Sequence, residues 1–219
     1  MTSAASITAA KKRTESKEKR RVQLIQATIR SIAKNGLSDT TISTVAREAG
    51  LSQGIINLHF QSKDRLLLDT LSFVVDEYKT HWEKALERAG DSSAERLRAL
   101  VEVDFHPSLC DRNKLAVWFA FWSETKSRPT YRKLCAERDR AYDQVIRALF
   151  SDLKREGSYP VDADTAARGL TAMTEGLWLD MLLSPRNMSR QQALDISMAY
   201  LRSVFPGHFG DPVLEELAS

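Results

Sequence analysis

Three pairs of side chains in this sequence combine a recognising chemistry with helical spacing. Gln53 and Asn57 stand four apart, as do Trp118 and Trp122, and Glu175 and Trp178 stand three apart. On an α-helix, residues three or four apart share a face. Two carboxamides on one face can each make bidentate contacts to adenine in the major groove of duplex DNA. Two indoles, with Phe121 beside them, offer π faces to a cation, and a carboxylate in an apolar helix would neutralise it. A choline-like quaternary ammonium suits that second set. The plainer reading of the tryptophans is core packing. Glu175, set amid Leu170, Met173 and Leu177, needs a cation, a partner such as Arg138, or water at a dimer seam.

Reaction chemistry, by contrast, leaves no trace. There is no nucleophile elbow, phosphate-binding loop, dinucleotide glycine pattern or Cys/His metal spacing, and His59, His81, His106 and His208 are scattered. No enzymatic activity, cofactor or metal is implied. Two cysteines, Cys110 and Cys135, are too few for a disulfide framework and read as reduced thiols of a cytoplasmic protein. No apolar run approaches the roughly 20 residues of a membrane span, so no membrane partner is expected. The formal charge of +3 is uneven: residues 1–65 hold 12 Lys/Arg and 5 Asp/Glu, and the remainder 20 and 24. Only one end of the molecule is thus suited to a polyanion.

The elements that must position these groups are helices. Val22, Ile25, Ile29 and Ile32 form a stripe that Gly36 can stop, and Thr40 or Thr41 can cap a short helix over Ile42, Val45, Ala46 and Ala49. Gly50 breaks it, Ser52 starts a second short helix reaching about Phe60, and Ser62 can cap a longer one carrying Leu67, Leu71, Val74, Tyr78, Trp82 and Leu86. The run Leu115 to Trp122 is apolar on all sides and should lie deep in a helical core. Pro129 suits the first turn of a long helix. The last two long helices are expected at about 162–184 and 189–205, with Pro206 stopping the second of them. The count is nine helices and no strand, an all-α fold. The organisation reads as a disordered basic arm (1–16), a first domain (17–65), a larger helical domain (66–208) and a C-terminal tail (209–219).

Two short helices joined at Gly50 describe a helix-turn-helix. Ile56 and Phe60 should pack onto Val45 and Ile25, leaving Gln53 and Asn57 outward. Gly54 lets backbone approach a duplex, and Ile55 and Leu58 are apolar enough to touch thymine methyls. The stretch GLSDTTISTVAREAGLSQGIINLHFQSKDRLLLDTL, residues 36–71, resembles the DNA-binding segment of the TetR family of bacterial regulators. That resemblance implies a three-helix DNA-binding domain, a ligand-binding and dimerisation domain, and a homodimer on a pseudo-palindromic operator of double-stranded DNA. Carried onto this chain, Thr40, Thr41 and Lys63 hold phosphates, while Ser52, Gln53, Gly54, Asn57 and His59 face the groove. Many family members have Tyr at the position of His59, and Leu58 replaces a commoner polar or aromatic residue.

Residues 116–134 and 169–183 are similar to the choline-responsive repressors of betaine synthesis, the BetI-type subfamily, through Trp118, Trp122 and the GLWL segment. The implied function is a ligand-released repressor whose inducer is a choline-like cation held by Trp118, Phe121, Trp122, Glu175 and Trp178. Two readings compete with it. One is the same regulator answering to a hydrophobic or acyl ligand. The other is a helical adaptor that binds proteins rather than DNA.

Overall fold

Caps and breakers set the helix boundaries. In the computed structural model, which describes residues 4–210 and the side chains of 16–136 and 139–210 among them, ten helices and no strand are present in the described residues. The first, α1 (Ala4–Asp39), has non-helical torsions at Gly36, where φ is 80°. Gly36 therefore interrupts the helix as its position suggests, with one short turn beyond it. At its other end α1 continues back to Ala4, across the segment expected to be a disordered arm. No Gly or Pro occurs between Ala4 and Asn35, and the Ala, Lys, Glu and Arg of this stretch are strong helix formers. Residues 1–3, like tail residues 211–219, lie outside the described part.

The next boundaries follow the sequence closely. Helix α2 (Ile42–Ala49) is capped by Thr41, whose hydroxyl accepts from the Thr44 amide in a reciprocal capping box, and ends at Gly50 in the left-handed region. Helix α3 (Gln53–Phe60) follows after one turn. Ser62 caps α4 (Lys63–Arg88) by accepting from the Arg65 amide. Along α4 the stripe Leu67, Leu71, Val74, Tyr78 and Trp82 is buried. Each such side chain contributes about 1.5–3 kcal/mol on burial, which makes this face, rather than helix propensity, the source of α4's order.

Helices α5 (Ser93–Asp104), α6 (Arg112–Glu124) and α7 (Pro129–Gly157) are opened by Ser92, Asp111 and Pro129 respectively. Asp162 and Ser189 cap α8 (Ala163–Leu183) and α9 (Arg190–Val204). The expected count of nine is exceeded by α10 (Pro206–Phe209), a single turn. Pro206 ends α9 as foreseen but, sitting at N1 where its missing N–H costs nothing, it opens this turn and buries Phe209.

Helices α1 to α3 pack on one another and on the start of α4, burying Ile25, Val45, Ile56 and Phe60. Helix α6 lies between α1 and α8, while α4 also packs on α5 and α7, and α8 on α7 and α9. The core is continuous from the small N-terminal unit into the larger bundle. Among the described residues no helix is long and apolar enough to cross a membrane.

Candidate nucleic-acid interface and interior cavity

The outward face of α3 carries four exposed residues, Gln53, Gly54, Asn57 and Leu58, while Ile56 and Phe60 are buried beneath them. Ser52 is exposed too, and its hydroxyl makes no capping bond. A Cβ on Gly54 would meet nothing closer than the Ser52 hydroxyl at 3.8 Å, so the glycine is not there for internal packing and its bare backbone faces outward. His59 is half-buried, and its Nδ1 is enclosed without a hydrogen-bond partner. Its pKa is lowered by burial and then by the charges of Lys17 and Arg20, which places the basic stretch of α1 beside the end of α3. The Arg21 guanidinium lies 5.8 Å from the centre of the Phe60 ring and bonds Asp69 at 2.9 Å.

The three residues expected to hold phosphates separate. Thr41 is exposed at the N-terminus of α2, where free amides and the helix dipole favour an anion. Lys63 is half-buried, with its ammonium 3.3 Å from the Ser38 carbonyl at the same rim. Thr40 turns inward instead. It is 1% exposed, and its hydroxyl donates to the Gly36 carbonyl at 2.8 Å and lies 3.4 Å from that of Ser31. A hydroxyl so enclosed holds the α1–α2 corner and does not reach a phosphate.

The second site is a cavity of about 330 Å3 between α4, α5, α7 and α8, within the range of about 300–1,000 Å3 typical of small-molecule sites. Its deepest polar group is Asp104, the last residue of α5 and only 3% exposed. Tyr78 donates to one carboxylate oxygen at 2.5 Å and Tyr142 to the other at 3.0 Å. The Trp178 indole N–H donates to the Asp104 backbone carbonyl at 2.8 Å. Burial, and then the Asp104 charge, push the Tyr142 phenol well above its ordinary pKa, so it stays a donor. Tyr78 packs edge-on to Tyr142 and Trp178 at 5.6 and 5.9 Å between ring centres.

The aromatic walls and the carboxylate act together. Helix α5 ends at Asp104, and the partial negative charge of a helix C-terminus adds to that of the side chain. The two phenols hold the carboxylate at the cavity wall, where its charge acts on a ligand through its field. A cation without N–H donors, lying against aromatic faces, meets that field at little hydrogen-bonding cost. The lining also holds Asp139, Asp143 and Glu175 against Arg140 and Arg168. Among the described lining residues Asp104 is the buried charged group, while Asp139, Arg140 and Arg168 are exposed.

Of the five residues first singled out, Glu175 and Trp178 line this cavity. Trp118 and Trp122 form a second layer: Trp118 sits edge-on behind Tyr78 at 6.3 Å, and Trp122 stacks on Trp178 at 6.5 Å with planes 13° apart. Phe121 is fully buried against Tyr131, 4.9 Å between centres, and serves the core. The Arg138 side chain lies outside the described residues. Sequence reasoning missed Asp104, Tyr78 and Tyr142. The signal was Asp104 itself, a carboxylate within the apolar run Leu100, Val101, Val103 and Phe105.

A reading head of three helices, joined through α4 to a helical bundle with its own cavity, is the arrangement of a helix-turn-helix transcriptional regulator. Comparison with known proteins makes this specific. Residues 24–70 match the family model of bacterial regulatory proteins of the TetR family, and residues 93–206 match that of the BetI-type transcriptional repressor C-terminal domain. The HTH-type transcriptional regulator BetI of Burkholderia thailandensis is 35% identical over 188 residues, 84% of this chain and 93% of that protein. BetI of Stenotrophomonas maltophilia is 35% identical over 83% of this chain and 91% of its own length. Among solved structures, a transcriptional regulator from Saccharomonospora viridis in complex with choline superposes with a TM-score of 0.75 at 26% identity, covering 84% of this chain and 96% of that one. A regulator from Pseudomonas aeruginosa PAO1 gives 0.74 at 28%, covering 88% and 93%. The chain belongs to the TetR family, with a BetI-type C-terminal domain, and is a DNA-binding transcriptional regulator rather than an enzyme.

Proposed function

We propose that this regulator is a repressor that binds a pseudo-palindromic operator as a cytoplasmic homodimer and leaves it when a quaternary-ammonium cation of the choline class enters the cavity. The observation that carries the ligand is Asp104, a buried carboxylate at a helix C-terminus, walled by Tyr78, Tyr142 and Trp178. The choline complex of the Saccharomonospora viridis regulator supports the same class. Glu175 and Trp178 keep a place at the ligand, whereas Trp118 and Trp122 back the aromatic walls. An acyl chain suits the site poorly, because the described lining carries the buried Asp104 carboxylate and the half-buried Glu175 and Asp143, whose charges an apolar chain would leave uncompensated.

DNA contact falls to Ser52, Gln53, Gly54, Asn57 and His59 at the groove, with Thr41, Lys63 and the basic face of α1 on phosphates. For the homodimer, the support is an apolar face without an internal partner. Outside α3, the exposed large hydrophobic side chains among the described residues are Leu179 and Leu183 on α8 and Ile196 on α9. These two helices would build a four-helix bundle with a second copy.

Coupling has two physical routes. Helix α4 carries Lys63 at one end and Tyr78 in the cavity wall, and α6, which bears the second aromatic layer, packs directly on α1. By linkage, a ligand that weakens DNA binding must itself bind more weakly to the DNA-bound protein, by the same factor. Calorimetric titration of choline into the protein, with and without a selected operator, tests this. Lower affinity in the operator's presence is expected, and equal affinity would overturn the coupling.

A further inference from the structure

The recognition helix exposes a large apolar side chain that no internal contact explains. Leu58 is 74% exposed, more than any other large hydrophobic side chain among the described residues. At about 100° per residue, Gly54 falls between Asn57 and Leu58 on the exposed arc, with Gln53 at the N-terminal end. Ile55, the other apolar candidate, is half-buried and packed on the core. Leu58 thus shares its surface with two carboxamides and a bare stretch of backbone. Lys17 and Arg20 of α1 lie close enough to the end of this surface to act on His59, a charge setting that fits a polyanion.

We infer that Leu58 is a specificity-determining residue that packs on a thymine 5-methyl group in the major groove, so that the half-site read by α3 is built of A·T pairs. The inference rests on the DNA-binding reading above and deepens it. Its chemistry follows from what the helix offers. Between Ser52 and Ser62 there is no Lys or Arg, the residues that make bidentate contacts to guanine. Gln53 and Asn57 match adenine, and an aliphatic side chain beside them matches the one apolar group that the major groove presents, the thymine methyl. An exposed leucine that meets water in the free protein gains most apolar contact on a duplex that sets a methyl at the facing position.

The test begins with selection of bound sites from a random DNA pool by the full-length protein. Each thymine of the selected site is then replaced in turn by deoxyuridine, which keeps the hydrogen-bonding groups and removes only the methyl. Burial of one methyl corresponds to roughly fourfold in affinity, and loss from both half-sites of a symmetric operator to roughly fifteenfold. The wild type should show one thymine per half-site with this sensitivity, and Leu58→Ala should bind thymine and uracil sites alike. Leu58→Ala removes an exposed side chain, so its melting temperature should match the wild type and report an intact fold. A selected half-site that requires guanine opposite α3 would overturn the inference, as would a uracil penalty that persists in Leu58→Ala. Failure to enrich any sequence would instead sink the underlying DNA-binding assignment, and this inference with it.

Discussion

Replacing Asp104 by Asn separates charge from shape in the cavity. The change keeps the volume of the side chain and one carbonyl acceptor for the Tyr78 and Tyr142 phenols, and removes the negative charge. A cation about 5 Å from a carboxylate gains about 3 kcal/mol at an effective dielectric constant of about 20, or on the order of a hundredfold in affinity. Two ligands complete a thermodynamic cycle: choline, and its uncharged isostere in which carbon replaces the ammonium nitrogen. By calorimetry the wild type should prefer choline by on the order of a hundredfold, and Asp104→Asn by less than about tenfold. Since the two ligands share a shape, packing losses in the variant cancel in the comparison. Stabilisation by ligand gives a second readout. A concentration one hundred times the wild-type Kd adds about 2.7 kcal/mol of stability, and the same concentration adds only a few tenths to a variant that binds on the order of a hundredfold more weakly. A wild type that bound the isostere as tightly as choline, or a variant that kept its preference, would refute the assignment of Asp104 as the counter-charge.

The remaining expectations concern assembly and stability. Leu183 is 70% exposed on α8, so Leu183→Glu should shift the proposed homodimer to monomer in light scattering and leave its helical content unchanged. Lys114 is 8% exposed and bonds Glu77 at 2.5 Å as well as the Ser108 carbonyl; Lys114→Met, which strands the Glu77 carboxylate, should cost about 3 kcal/mol and lower the melting temperature by about 6–12 °C. His59 and His106 both have pKa values lowered by burial first, and then by Lys17 and Arg20 for His59 and by His81, Arg190 and Lys114 for His106. The unfolded chain therefore binds more protons below pH about 6.5. Thermal stability should be full above that pH and fall as the pH drops through the folded-state values, and His106→Gln should flatten part of the slope.

How much of this was legible depends on how local each signal is. The reading head is written in consecutive residues: Thr41 and Thr44 make a reciprocal cap, Gly50 takes the left-handed turn, and Ser62 starts α4. Caps act over three or four residues, so spacing alone reveals them. Thr40 and Thr41 mark the limit, because adjacent residues of one type take opposite roles and only packing at the α1–α2 corner decides which. The cavity is assembled across the chain instead. Asp104, Tyr78 and Tyr142 come from three helices and meet only when α4, α5 and α7 pack together. The tryptophans of α6 were visible as an aromatic cluster, yet their distance from the cavity interior follows from the wedging of α6 between α1 and α8. Glu175 and Trp178 emerged because both lie on one helix face.

Helix α4 can also be viewed as a lever. At a rise of about 1.5 Å per residue, Lys63 lies about 22 Å along the axis from Tyr78. Glu77, the residue before Tyr78, is clasped by Lys114 of α6, which supplies a fulcrum beside the cavity wall. About that point a tilt of about 5° would sweep the DNA-facing end through about 2 Å, and the two arms of the proposed homodimer through about twice that. In the proposed homodimer, reading heads set for half-sites about 34 Å apart would then miss register by a distance longer than a hydrogen bond. On the proposed mechanism a small tilt at the cavity wall would thus be amplified into a displacement large enough to weaken recognition.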